Sequence, residues 1–75
     1  MVIEGERAAV AMAVGDEIRR LRLEKGYTHY ALASKIGMQA HQIAAIERGK
    51  HCPRFDVLLK ILNALGMRII FDPIL

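Results

Sequence analysis

The sequence has a single cysteine, Cys52, and no tryptophan. One thiol cannot close an intrachain disulfide, so we expect the protein to act in a reducing cytoplasm. The three histidines lack zinc-ligand spacing, because His51 adjoins Cys52 and neither His29 nor His41 has a partner at a suitable separation. We therefore expect no metal and no other cofactor. At 75 residues the chain is near the lower size limit for an uncross-linked hydrophobic core, a shortage that a dimer would relieve.

The sequence also lacks a hydrophobic run long enough to span a membrane. Its stretch AAVAMAV, residues 8–14, is far shorter than a spanning helix, and Glu4 and Glu6 precede it where an export signal would carry positive charge. We expect neither membrane insertion nor export. Residues 1–14 are interpreted as an N-terminal segment, either a mobile tail or a helical extension that packs on a neighbour.

Groups that perform catalysis are missing as well. We find no carboxylate pair, no nucleophile with a base and no glycine-rich loop for phosphates, and Cys52 beside His51 has the character of a passive thiol. Four short helices would also leave little room for a small-molecule pocket. We expect neither an enzyme nor a small-molecule ligand.

What the chain does have is positive charge in its middle. The net charge is +3, but the segment from Ile18 to Arg54 holds eight basic residues against two acidic ones, an excess of six. A basic middle, with the remaining acidic residues in the two ends, favours a polyanionic partner, although a solvated lysine and arginine surface is the alternative.

The first two predicted helices are short and closely spaced. Acidic residues in the first turn and apolar residues on one side predict a helix over Asp16–Lys25, which Gly26 can end. Thr28 offers a side-chain oxygen to cap a second helix of about two turns, which stops at Gly37.

Two further helices follow in the sequence. The third begins near Gln39 or Ala40, turns Ile43 and Ile46 inward and is ended by Gly49. The fourth is terminated by Gly66, and its spacing gives one continuous apolar stripe of Phe55, Leu58, Leu59, Leu62 and Leu65.

The C-terminal segment, residues 67–75, breaks the helical pattern. Its β-branched and aromatic composition predicts one strand. A lone strand needs a partner for its backbone groups, and the symmetric solution is a two-stranded ribbon across a homodimer. The dimerisation residues would be Met67, Ile69, Ile70 and Phe71. The alternative is an irregular tail docked on the fourth helix.

The second and third helices have the features of a helix-turn-helix unit. A small residue, Ala33, permits a close crossing, Gly37 permits the sharp turn, and aliphatic residues fill the wedge between the helices. The run from Ile18 to Gly66 resembles the Cro and phage-repressor (XRE-like) family through LRLEKGYT, LASKIG, IERGK, PRF and LLKILNALG. The resemblance implies an all-α, lambda-repressor-like fold of four to five helices, with a domain over residues 15–66.

The resemblance also implies which residues meet DNA. The helix Gln39–Glu47 would enter the major groove, with base contacts from Gln39, Ala40, His41 and Ala45. Gln39 is a weak helix cap, and two alanines stand where longer polar side chains are common, so part of the specificity would come from DNA shape. The phosphate contacts would be His29, Gln42, Lys50 and Arg54, with Lys35 and Arg48 as further contributors.

Two more expectations rest on the same resemblance. Arg22 and Glu47 would form a partly buried structural brace between the first helix and the end of the third. The protein would be a cytoplasmic, nucleoid-associated transcriptional repressor of bacterial or phage origin that binds a palindromic double-stranded DNA operator as a homodimer. A looser resemblance, through LGMRIIFD and the overall size, is to HipB-like antitoxins, whose partner is a kinase-like toxin. The alternatives are a stand-alone repressor and a module used only for protein contacts.

Overall fold

The fold of this chain is seen in a computed structural model that describes residues 4–70 and residue 73. Four helices follow one another: α1 (Glu4–Glu24), α2 (His29–Ile36), α3 (Ala40–Glu47) and α4 (Phe55–Ala64). Between residues 4 and 70 no β-strand is formed. The predicted all-α class is confirmed.

The ends of α2 lie where the sequence signals predict them. The Thr28 hydroxyl accepts a hydrogen bond from the N–H of Ala31 at 3.0 Å and so caps the first turn. Gly37 ends the helix in the left-handed conformation, with φ 70°, which a glycine adopts without steric cost. The N–H of Met38 then donates to the carbonyl of Ala33. The sharp turn between α2 and α3 is therefore encoded locally.

Helix α1 is longer than predicted. It begins at Glu4 and not at Asp16, so residues 4–14 are a helical extension continuous with the rest of α1. Alanine has the highest helix propensity, and the stretch from Ala8 to Val14 offers no residue that would break the helix. Ala11 is buried, so the extension contacts the rest of the molecule.

The core is formed where the four helices meet. Its fully buried large side chains are Ile18, Leu32, Ile43, Ile46, Ile61 and Leu65. The predicted apolar stripe of α4 and the buried positions of that helix do not coincide. Ile61, which the stripe omitted, is completely buried, whereas Phe55 is 55% exposed. Phe55 opens α4, and only the later turns of this helix place side chains at the centre of the core.

Directly after α4, residues 67–70 form no strand. Met67 belongs to the end of the helix, because its N–H donates to the carbonyl of Leu62 at 2.8 Å. Met67 and Ile70 are exposed and Ile69 is half-buried, while Phe71 lies outside the described residues. A strand needs a neighbour for its backbone groups, and pairing between two copies of this segment stays a prediction.

Candidate nucleic-acid interface

Helices α2 and α3 form a compact two-helix unit. Leu32 and Ala33 of α2 are buried with Ile43 and Ile46 of α3 in the same hydrophobic cluster. The methyl side chain of Ala33, 1% exposed, lets the two helices approach closely. This packing holds α3 across α2 and leaves the opposite side of α3 free, which is the geometry a helix needs to enter a groove.

The residues predicted to contact bases lie at the start of α3 and along it. Gln39, directly before the helix, and His41 are exposed, whereas Ala40 and Ala45 are half-buried. Helix α3 has no charged side chain before its last residue, Glu47. The outer face is thus polar but uncharged when His41 is neutral.

Gln42 contributes to the start of α3. Its side-chain Oε1 accepts a hydrogen bond from the backbone N–H of Gln39 at 2.8 Å. This contact strengthens a helix start at which Gln39 alone is a weak cap. It also fixes the Gln42 amide near the surface with its NH₂ group left to donate, and the predicted phosphate contact of Gln42 is compatible with this geometry.

Behind α3 lies the brace, the ion pair of Arg22 with Glu47. Arg22 Nε donates to Glu47 Oε2 at 2.6 Å, and Arg22 Nη2 donates to Glu47 Oε1 at 3.0 Å. Arg22 Nη1 also donates to the carbonyl of Tyr27 at 2.8 Å. The two residues are 6% and 8% exposed. The structure thus brings the two predicted brace residues into a bidentate, buried contact that ties α1 to the last residue of α3.

The pair remains ionised because each partner stabilises the charge of the other. Burial acts to raise the pKa of Glu47, but the hydrogen bonds from Arg22 and His29 outweigh it and lower the pKa below the ordinary carboxyl value. The hydrogen bond to Glu47 raises the pKa of Arg22. Glu47 therefore carries its charge at neutral pH.

His29 joins the brace, a contact that the sequence did not indicate. Its Nε2 lies 3.1 Å from Glu47 Oε1, and its side chain is 40% exposed. His29 and Glu47 are 18 residues apart in the chain, so no local pattern marks their proximity. The predicted phosphate contact at His29 therefore lies directly beside a buried carboxylate.

The other basic residues predicted to meet phosphate stand at the surface. Lys50 is exposed in the loop after α3, and Arg54 precedes α4 with its side chain 85% exposed and 3.4 Å from the Asp56 carboxylate. Lys35 instead lies over the ring of Tyr27, with 5.1 Å between the ammonium and the ring centroid. This cation–π contact occupies Lys35 within the protein.

Gly15 makes a close contact between α1 and α3 that was not predicted from the sequence. A Cβ atom at this position would lie 2.3 Å from the carbonyl oxygen of Ile46 and 2.8 Å from that of Glu47. Only glycine allows the two backbones to approach so closely. Because the predicted helix begins at Asp16, Gly15 does not stand out as a helical glycine, which would signal such an approach.

The loop with Lys50 rests on the helical extension of α1. A Cβ at Gly49 would lie 2.8 Å from Cγ of Met12, and Gly49 has a positive φ of 73°. Residues 4–14 thus support the chain directly after α3. This contact depends on the early start of α1 at Glu4.

The described residues form neither a metal-binding cluster nor a membrane-spanning helix. Among residues 4–70 and residue 73, no group of three or more His, Cys, Asp or Glu side chains is placed to hold a metal ion. Within the same residues, none of the four helices combines the length and the apolar character that crossing a membrane requires.

Comparison with known proteins agrees with this geometry. The model of the helix-turn-helix family HTH_3 matches residues 18–71. The chain is 32% identical over 54 residues to the uncharacterized HTH-type transcriptional regulator YgzD of Bacillus subtilis, covering 72% of this chain and 82% of that protein. It is 33% identical over 58 residues to the immunity repressor protein of Bacillus phage phi105, covering 77% of this chain and 40% of the repressor.

A eukaryotic relative and a solved structure match as well. Endothelial differentiation-related factor 1 of Rattus norvegicus is 40% identical over 60 residues, which cover 80% of this chain and 40% of that protein. The chain thus spans well under half the length of this relative. The HipB–O2 20mer complex matches with a TM-score of 0.73 at 22% identity, covering 85% of this chain and 89% of that chain. The fold is shared with HipB, and the chain belongs to the helix-turn-helix family HTH_3, a family of DNA-binding transcriptional regulators and not of enzymes.

Proposed function

We propose that this chain is a DNA-binding transcriptional repressor that acts as a homodimer and inserts α3 into the major groove of a palindromic operator. The observation that supports this most directly is the placement of α3. Its inner side is fixed by Ile43, Ile46 and the brace, while its outer side carries exposed Gln39 and His41. The phage repressor among the relatives supports the repressor role.

The chemistry of the outer face fits the reading of base edges. A glutamine can bridge N6 and N7 of adenine, a histidine can donate to a guanine acceptor, and an alanine methyl can contact the thymine methyl. Gln39, His41 and the two half-buried alanines, Ala40 and Ala45, supply these groups. Because long polar side chains are few, DNA shape contributes the remaining specificity.

Phosphate contacts would position this face. We assign them to His29, Gln42, Lys50 and Arg54, which lie at the start of α2, in the first turn of α3, in the following loop and before α4. Arg48, exposed at the end of α3, is a further candidate. Such contacts supply affinity for any sequence and set the register of α3.

Selection of bound sequences from a random pool of DNA duplexes, at a stated salt concentration, tests this function. We expect an enriched palindrome whose half-sites are separated by one helical turn, about 34 Å. His41→Ala should change which sequences are enriched, whereas Lys60→Ala on the exposed side of α4 should not. A pool that shows no enrichment, together with no binding in dilute buffer, would exclude the proposal.

The homodimer would be formed through Met67, Ile69, Ile70 and Phe71. Met67 is 45% exposed and Ile70 is 74% exposed, so the single chain leaves apolar side chains of this segment uncovered. Ile70→Asp should lower the apparent mass in sedimentation equilibrium from dimer to monomer. Leu23→Asp, at an equally apolar and 53% exposed position on α1, is the matched control and should remain dimeric. Equal masses for the wild type and Ile70→Asp would remove this segment from the interface.

A second candidate function adds a protein partner. The fold likeness to HipB extends over 85% of this chain and favours an antitoxin that also binds a kinase-like toxin. Co-expression with the product of the adjacent gene, followed by size-exclusion chromatography, tests it. A stable complex with a kinase-like protein supports the antitoxin. Operator binding without any such complex supports a stand-alone repressor, and such a complex without operator binding supports a protein-interaction module.

A further inference from the structure

One of the two ring nitrogens of His29 is already hydrogen-bonded within the protein. Its Nε2 faces Glu47 Oε1 at 3.1 Å, and an ionised carboxylate can only accept a hydrogen bond. The Nε2 atom must therefore carry a hydrogen. In the neutral imidazole only one ring nitrogen carries a hydrogen, so Nδ1 of neutral His29 has a lone pair and cannot donate.

The other edge of the ring is the one available to DNA. The His29 side chain is 40% exposed, and in the described part of the chain Nδ1 has no protein partner. A phosphate oxygen is a hydrogen-bond acceptor, and so is the lone pair of Nδ1. Two acceptors cannot form a hydrogen bond with each other. Nδ1 can bind phosphate only when the ring is the imidazolium, in which both nitrogens donate.

The charges around the His29 ring also favour the imidazolium when a phosphate is bound. Among the described residues, His29 contacts the carboxylate of Glu47 on α3, and that carboxylate in turn binds Arg22 of α1. In the same residues, no side chain of α4 forms an ion pair with His29. Arg22 and Glu47 neutralise each other. A phosphate beside neutral His29 would leave this cluster with a net negative charge, whereas a proton on His29 restores neutrality.

We propose that His29 takes up a proton when a DNA phosphate binds beside it, so that the affinity for the operator falls as the pH rises. This inference rests on the proposed DNA-binding function and on the phosphate contact of His29. Imidazole is suited to the task because its charge changes between pH 5 and 8. Operator occupancy in the cell would then respond to cytoplasmic pH through one side chain per protomer.

Operator affinity measured by fluorescence anisotropy from pH 5.5 to 8, at constant ionic strength, tests the proposal. If one proton is bound with the DNA, the dissociation constant should rise up to about tenfold per pH unit for each protomer. His29→Gln keeps a neutral donor and should bind with a much flatter pH dependence. His29→Lys keeps a positive charge throughout this range and should be equally flat.

One matched variant and one spectroscopic measurement separate His29 from the other histidines. His51→Gln, in the exposed loop after α3 and outside the proposed DNA contacts, should retain the steep pH dependence of the wild type. In the wild-type protein, NMR titration of the ring protons should place the titration midpoint of His29 at higher pH in the operator complex than in the free protein. This measurement does not depend on the folding of any variant.

The outcomes distinguish a failure of this inference from a failure of the proposed DNA-binding function. Sequence-specific binding whose pH dependence is the same in the wild type and in His29→Gln, with an unmoved His29 midpoint, overturns the inference and leaves the proposed function intact. The absence of binding to any duplex across the whole pH range overturns both.

Discussion

Glu47 is the residue on which three helices converge. It ends α3, accepts two hydrogen bonds from Arg22 of α1 and lies within hydrogen-bond distance of His29 of α2. A buried charge keeps its place only when partners replace the lost water. The local order of the helix-turn-helix unit therefore depends strongly on this single carboxylate.

The substitution Glu47→Gln tests that dependence. It leaves the Arg22 guanidinium buried without a countercharge, which we expect to cost about 3 kcal/mol. For a domain of this size the melting temperature should fall by roughly 12 °C or more, as seen by circular dichroism. Glu17→Gln, which removes one exposed partner of Arg20, is the matched control and should leave the melting temperature almost unchanged. An unaltered melting temperature in Glu47→Gln would show that the ion pair contributes nothing to stability.

Glu47 also makes the stability of the fold depend on pH in a defined direction. The pKa of Glu47 is lowered in the folded state, so its contribution to stability is complete above the unfolded carboxyl value of about 4.3. This contribution is lost as the pH falls through the lowered pKa that Glu47 has in the folded state. The difference in unfolding free energy between the wild type and Glu47→Gln, from urea titrations, should therefore shrink as the pH falls below 4. A difference that grows in acid would contradict the assignment.

At the scale of elements, the long helix α1 is held against α3 by backbone contact at Gly15. In Gly15→Ala the new methyl group would overlap the carbonyl oxygen of Ile46, which is part of the α3 backbone and cannot rotate away. The gain in helix propensity is only about 1 kcal/mol, while forced overpacking costs about 1–3 kcal/mol. We expect a net loss of stability in urea unfolding.

Gly26→Ala is the control for this prediction. A Cβ at Gly26 meets no atom within 4 Å, although its φ is +73°. That variant should show only the cost of a left-handed alanine, about 1–2 kcal/mol, and should leave the α1–α3 contact unchanged. If Gly15→Ala is more stable than the wild type, the crossing of α1 over α3 is looser than described.

The elements also show which parts of the fold could be predicted. The turn between α2 and α3 is encoded by neighbouring residues, namely the hydroxyl of Thr28 and the left-handed glycine at position 37, and its prediction is confirmed. The burial of Ile61 in place of Phe55 depends on which turns of α4 reach the other helices. Contact between His29 and Glu47 likewise depends on the assembled fold. Sequence spacing within one helix cannot supply information of this kind.

For the whole molecule, the positive charge of the chain should govern DNA affinity. Removing one phosphate contact reduces the slope of log affinity against log salt by about 0.9. Lys50→Ala and Arg54→Ala should each produce this reduction per protomer and weaken all duplexes alike. Lys60→Ala removes an equal charge from α4 and should leave the slope unchanged. An unchanged slope in Arg54→Ala would remove that residue from the phosphate contacts.

The location of the brace has a consequence for how such a protein can diversify. Arg22 of α1 and Glu47 of α3 are buried at 6% and 8% exposure, whereas Gln39, directly before α3, and His41, in its first turn, are exposed. Substitutions at the exposed positions disturb neither the core nor the ion pair, and changes at sites without shared partners act almost independently. In the proposed operator complex, new sequence preferences would therefore arise one substitution at a time, without a compensating change in the scaffold.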